Sequence, residues 1–169
     1  LTNINGLCRI ALDKLKKTYE QDIQEKNIRI IFDNLTLSLM MEVNVEQFSK
    51  VLAGILKNSM YALLKKSETV TFSPEIFLGL KVNKDMLEIT IRDNGSGIDE
   101  NIKDKIFAPF FTTKTTGEAA GVGLYLCREI VQNHRGTIEV ESKKGEYTQF
   151  LITIPVYQPK TITPPKEEE

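Results

Sequence analysis

Tryptophan is absent from this 169-residue chain, histidine occurs once and cysteine twice. One histidine excludes a histidine-built metal cluster. Cys8 and Cys127, far apart and both in helical patterns, make neither a zinc site nor a disulfide framework. Reduced, packed thiols are expected instead. No apolar run approaches the ~18 residues of a membrane span, and no signal peptide is present. The net charge of −1 offers no electrostatic case for nucleic acid or for direct contact with an anionic membrane. Internal repeats are missing too. So are a Gly-Lys-Ser/Thr phosphate loop and the glycine spacing of a dinucleotide fold. Leu1 is not an initiator Met, which points to a piece of a longer chain.

What is present, 41% hydrophobic and 27% charged residues, suits one domain with a sizeable core. Apolar spacing predicts a helix over residues 4–25 with Asn3 as its N-cap, then two short strands over 28–32 and 35–40. The strongest helix is predicted over 45–66. Phe48, Val51, Leu52, Ile55, Leu56, Ser59 and Leu63 form its stripe, and Gly54, Asn58, Tyr61 and Lys65 lie on one flank. A hairpin over 76–82 and 86–91 follows, then a short helix over 99–106. A loop over 112–120 with few apolar anchors is expected to be mobile. A helix from about residue 121 to His134 should bury Leu124, Leu126, Cys127, Ile130 and Val131. Strands over 137–141 and 150–154 come last. Three of the six prolines and three closing glutamates mark residues 157–169 as a linker or disordered tail. Interleaved helices and hairpins suit a two-layer α/β sandwich with one mixed sheet.

Chemistry concentrates in a few places. Asp93-Asn-Gly95-Ser-Gly97-Ile98 ends a buried strand. Its carboxylate could accept a hydrogen bond from an adenine amino group, and its glycines would leave room for a flat ring. Taken alone, D-x-G-x-G is more often a plain turn. Gly121-Val122-Gly123-Leu124 opens a helix, where free N–H groups and the helix dipole favour phosphate, although such glycines also serve packing. Asn58 carries a neutral oxygen of the kind Mg²⁺ accepts alongside phosphate and water. Lys65 and Lys114 could meet phosphate or simply be solvated surface lysines.

Together these stretches resemble the catalytic, ATP-binding domain of sensor histidine kinases in the GHKL superfamily, over about residues 1–156. Gly54-Ile-Leu-Lys-Asn58-Ser-Met-Tyr61-Ala resembles the N box, and the Asp93 stretch the G1 box. Phe107-Ala-Pro109-Phe110-Phe111-Thr-Thr113-Lys114 resembles the F box, and Gly121 to Val131 the G2 box. Any one box is weak, whereas four in this order are specific.

The resemblance implies a mixed, mainly antiparallel sheet of about five strands backed by three helices, with ATP and Mg²⁺ as cofactors. Asp93 would bind the adenine amino group with Thr148 beside it, and Asn58 would hold the metal. Asn58 and Lys114 would be the catalytic residues. Gly121 and Gly123 would meet the phosphates, and Phe107–Phe111 would hinge a lid. Tyr61, Lys65, Gly95, Gly97, Ile98, Thr113, Val122 and Leu124 complete the implied nucleotide contacts. The phosphoryl group would pass to a histidine on a separate dimerisation domain, and then to a response regulator, in the cytoplasm. Gly54 stands where hydrolytic relatives carry a water-activating Glu, which argues against an ATPase that consumes water. Tyr61 replaces a Lys found in some members. His134 is read as structural. An anti-sigma-factor-type serine kinase and a nucleotide-binding regulatory module without transfer activity are the alternatives.

Overall fold

The computed structural model describes residues 1–111 and 123–156. The expectations for the 112–120 loop, for Thr113, Lys114, Gly121 and Val122, and for the tail over 157–169 lie outside the described residues.

Asn3 starts the first helix as its side-chain oxygen accepts the Gly6 N–H at 3.1 Å. A two-residue strand β1 (Thr2–Asn3) precedes helix α1 (Ile4–Thr18), which buries Ile4, Leu7, Cys8, Leu12 and Leu15. The predicted helix over 4–25 divides at Tyr19, whose φ of −110° leaves helical geometry. A separate short helix, α2 (Glu20–Lys26), follows with no buried residue, because the apolar stripe has run out. Strand β2 (Arg29–Asp33) comes next.

The second predicted strand, over 35–40, survives only as β3 (Met40–Met41), paired with β1. Asn5 supplies the reason. Its amide donates to the Leu35 carbonyl at 3.0 Å and accepts the Leu35 N–H at 3.2 Å. A side chain thereby satisfies backbone that a ladder would otherwise claim. Leu35 and Leu39 still pack on the core, while Leu37 is exposed.

Helix α3 (Val45–Ser67) starts where Asn44 accepts the Gln47 N–H at 3.0 Å. Its predicted stripe is buried, with Met60 added. Strands β4 (Glu75–Asn83) and β5 (Met86–Asp93) form a hairpin closed by Lys84-Asp85. Lys84, at φ 54°, takes the left-handed conformation that two-residue hairpin turns demand. The predicted helix over 99–106 shrinks to a 3₁₀ turn at Lys103–Lys105. Asp99 begins that segment as a turn, its carboxylate accepting the Asn101 N–H.

Helix α4 (Gly123–Asn133) and strands β6 (Thr137–Lys143) and β7 (Tyr147–Pro155) complete the domain. Leu126, expected inside, is 46% exposed. The main sheet runs β2-β4-β5-β7-β6, with only the β2–β4 pair parallel. Helices α1 and α4 flank α3, and α3 and α4 lie on the sheet. This is the expected two-layer sandwich, with the short α2 as an additional helix.

His134 links two of these helices. Its Nδ1 lies 2.8 Å from the Ile130 carbonyl, so that nitrogen carries the proton. Nε2 then accepts the Asn44 N–H at 3.0 Å. The ring also meets Phe48 edge-on at 5.6 Å. The end of α4 is thus fastened to the start of α3. His134→Ala should cost about 1–2 kcal/mol in urea denaturation, the worth of a lost hydrogen bond left with an unpaired donor. Unchanged stability would refute the fastening role of the ring.

Candidate functional site

Antiparallel register sets three polar side chains in a row. Asp93 on β5 faces Thr148 on β7, and Thr148 faces Ser142 on β6. Direct cross-strand partners hold their Cβ atoms about 5 Å apart on the same face. Asp93 is 2% exposed and Thr148 4%. Asp93 Oδ1 accepts the Gly95 N–H at 2.9 Å, and no hydrogen bond reaches Oδ2 among the described residues.

Burial pushes the Asp93 carboxyl up from 3.8 to about 7. The Gly95 N–H, the Ser59 hydroxyl, and the charges of Lys66 and Arg92 oppose that shift without cancelling it. The Ser59 hydroxyl acts from nearby only. It is buried, lies outside hydrogen-bonding geometry and has no other partner among the described residues.

The loop after Asp93 is seated by its own backbone. Asn94 turns away, accepting the Glu75 N–H at 2.8 Å and donating to the Ser73 carbonyl at 2.8 Å. Ser96 N–H reaches the Ala62 carbonyl at 3.1 Å, and Gly145 N–H reaches Ser96 O at 2.6 Å. A Cβ on Gly95 would come within 2.6 Å of the Ala62 backbone. Gly97 has φ +67°, and a Cβ there would strike the Lys143 carbonyl. The expectation that these glycines leave room for a ring is therefore revised. They let α3 and the β6–β7 hairpin close on the loop. Ile98, half-buried, gives its N–H to Ser142 Oγ at 2.8 Å.

On α3, Asn58 and Tyr61 are half-buried and Lys65 is exposed, its Nζ 5.8 Å from the Tyr61 ring centre. A Cβ on Gly54 would sit 3.2 Å from Cys127 Sγ on α4. With His134 against Phe48 and Cys127 against Gly54, the two helices run antiparallel. Four residues further along each, at 1.5 Å rise per residue, Gly123 comes level with Asn58. Gly123 is exposed, and among the described residues a Cβ there would meet nothing within 4 Å. Against those residues the helix start that could receive an anion is open, and Leu124 packs just inside it.

The aromatic cluster divides. Phe107 is buried against Phe150, ring centres 6.3 Å apart, with the Arg128 guanidinium 5.5 Å from its face. Phe111 packs on the core, but Phe110 is 76% exposed at φ 62°. A cavity of about 310 Å³ between α1 and α3, lined by residues such as Ala11, Ala53 and Lys57, shares none of these side chains. Both cysteines are free and buried, their thiols pushed up to about 12 by burial. Among the described residues no group of three or more His, Cys, Asp or Glu could hold a metal, and no helix is long and apolar enough to cross a membrane.

A buried acceptor at one end of the site and an open helix start beside an amide at the other suit a nucleotide. The family model for "Histidine kinase-, DNA gyrase B-, and HSP90-like ATPase" matches residues 44–158. The chain belongs to this ATPase family. As a member it is a nucleotide-binding domain.

Two relatives are each 35% identical. Cyanobacterial phytochrome A of Nostoc sp. matches over 149 residues, 86% of this chain and 18% of that protein. A probable C4-dicarboxylate sensor kinase of Halalkalibacterium halodurans matches over 151 residues, 89% and 27%. The chain thus spans less than a third of the length of either. By contrast, it covers 93% of a solved, nucleotide-free catalytic domain of the histidine kinase ThkA. That match has a TM-score of 0.73 and 28% identity, over 91% of this chain.

Sequence reasoning assigned no role to Ser142, which the structure sets beside Thr148. Its signal was alternation: Ile138, Val140 and Ser142 share one strand face, and the last is polar where apolar residues precede it.

The Asp93 charge has a consequence for stability. Between about pH 4 and about pH 7 the folded protein holds a proton that the unfolded chain has released, so stability falls as pH rises through that window. Above pH 7 the cost levels off at a ceiling on the order of 4 kcal/mol. Asp93→Asn keeps an acceptor for the Gly95 N–H and removes the buried charge. At pH 8 it should raise the urea unfolding free energy by about 1–3 kcal/mol, with the gain vanishing toward pH 4. Equal stabilities at both pH values would refute a buried charge.

Proposed function

We propose that this domain binds ATP–Mg²⁺ and donates the γ-phosphoryl group to a histidine on a separate helical domain, as the kinase half of a two-component sensor. The observation that carries the reading is the buried Asp93 carboxylate facing Thr148, with one oxygen unpaired among the described residues. That oxygen suits an exocyclic amino donor. At the far end Asn58 lies level with the open start of α4, where N–H groups and the helix dipole receive phosphate. Asn58 brings one neutral oxygen, which fits a metal whose other ligands are phosphate and water.

When bound, ATP–Mg²⁺ supplies the transferable phosphoryl group and the cation that offsets its charge. The chain's own residues position it: Asp93 orients the base, Thr148 stands beside it as a second polar contact, and the α4 N–H groups fix the phosphate end. Lys114 is the proposed phosphate cation, and Thr113, Gly121 and Val122 are further proposed nucleotide contacts. Tyr61 and Lys65 would border the phosphate end from α3. Phe107 anchors the F box through Phe150. Gly54 offers no base to activate water, so transfer to a partner is favoured over hydrolysis. The histidine-bearing domain and a response regulator are the proposed partners, and the cytoplasm the proposed location.

Calorimetry with ATP–Mg²⁺ should give clear binding that Asp93→Asn abolishes. Asn58→Ala should still bind nucleotide but lose most transfer. With labelled ATP and a histidine-bearing helical domain supplied in trans, the product should be acid-labile phosphohistidine. Phosphoserine in a partner protein would favour the serine-kinase alternative, and binding without any transfer the regulatory one. Undiminished affinity in Asp93→Asn would sink the reading of the base pocket.

A further inference from the structure

We propose that Ser142 is a positioning residue that holds Thr148 as a hydrogen-bond acceptor beside Asp93, so that the site prefers a purine with an amino group at C6 over one with a carbonyl. The inference rests on the nucleotide-binding reading above and deepens it.

Ser142 Oγ has one proton and three polar neighbours. The Ile98 N–H donates to it at 2.8 Å. The Tyr147 carbonyl, 2.6 Å away, can only accept, so it takes the serine proton. Thr148 Oγ1 is the third neighbour, at 3.0 Å. With its own proton committed, Ser142 can only accept from Thr148. The threonine proton therefore points toward β6, away from Asp93, and its lone pairs remain for a ligand.

Thr148 is the direct cross-strand partner of Asp93, so two acceptors stand side by side. An amino group has protons for both. A carbonyl oxygen would bring a third set of lone pairs against them, in a site too buried for water to relieve the conflict. Ser142 itself touches no base. It acts through the proton of Thr148, and its bond from Ile98 ties the same device to the loop that Asp93 begins.

Affinities for ATP and inosine triphosphate, measured at pH 8 where Asp93 is mostly ionised, separate this role from a merely structural one. The unaltered chain should prefer ATP by at least about tenfold, the usual cost of a mismatched buried hydrogen bond. Ser142→Ala frees the Thr148 hydroxyl to turn its proton toward a carbonyl, and the preference should narrow about fivefold. Ser142→Thr keeps the hydroxyl and should keep the preference. If Ser142→Ala weakens both nucleotides by one factor, the ratio is unchanged and the proposal is overturned.

Equal affinities in the unaltered chain would overturn the proposal while leaving the nucleotide reading intact. Binding of neither nucleotide would overturn both. Should Ser142→Ala fail to melt cooperatively, Thr148→Val supplies the same comparison. It deletes the acceptor and should narrow the preference, and an unchanged ratio there refutes the inference equally.

Discussion

Keeping a carboxylate out of water at the end of a central strand is the constraint around which this domain is arranged. Asp93 is nearly enclosed, and one backbone N–H, a nearby hydroxyl and two cations do not offset the solvation it gives up. A protein selected for stability alone would place an apolar side chain there, as at Ile89 and Ile91 on the same face of the strand. Retaining the charge makes sense where a ligand supplies the missing donor. The surroundings follow from that requirement. Ser59 stands unpaired among the described residues close by, and Thr148 and Ser142 continue the polar row across two further strands.

The loop after Asp93 must be rigid for the same reason, since an acceptor that wandered would bind whatever came near. Rigidity comes from backbone contacts that demand glycine. Gly95 admits the Ala62 turn of α3, and Gly97 admits the backbone of the β6–β7 hairpin. Reading those glycines as space for a ligand was reasonable from sequence, where spacing is visible but neighbours are not. Nothing in a linear string says that residues 62 and 143 approach the same pentad. The motif was legible, whereas its physical cause needed tertiary structure.

A similar line divides the fold. Long periodic signals were read faithfully: the α3 stripe and the β4–β5 hairpin lie where pattern placed them, while the neighbourhood of Asp93 and Thr148 came only from the family resemblance. Short alternations misled. Leu35, Leu37 and Leu39 alternate as a strand would, yet the Asn5 amide takes the backbone bonds that a neighbouring strand would need. Residues 4–25 keep helical composition throughout, but Tyr19 ends the first helix where core contact runs out. At Leu35 a local pattern competed with one specific long-range contact, and the contact prevailed. Ser142 went unnoticed because a single polar residue in a strand carries no motif. Its importance arises from three bonds to residues near and far in the chain.

Gly54 joins the fold to the proposed chemistry. Without a side chain it lets Cys127 approach α3, and it is this approach that carries the open start of α4 level with Asn58. A glutamate at 54, the residue that would activate water, would bring its Cβ to 3.2 Å from the Cys127 sulfur, so α4 would have to give by a few tenths of an ångström. The glycine that withholds the base also permits the close helix packing. In the proposed chemistry Gly54 leaves α3 without a base at that position, so the attacking nucleophile is expected from a partner and not from water.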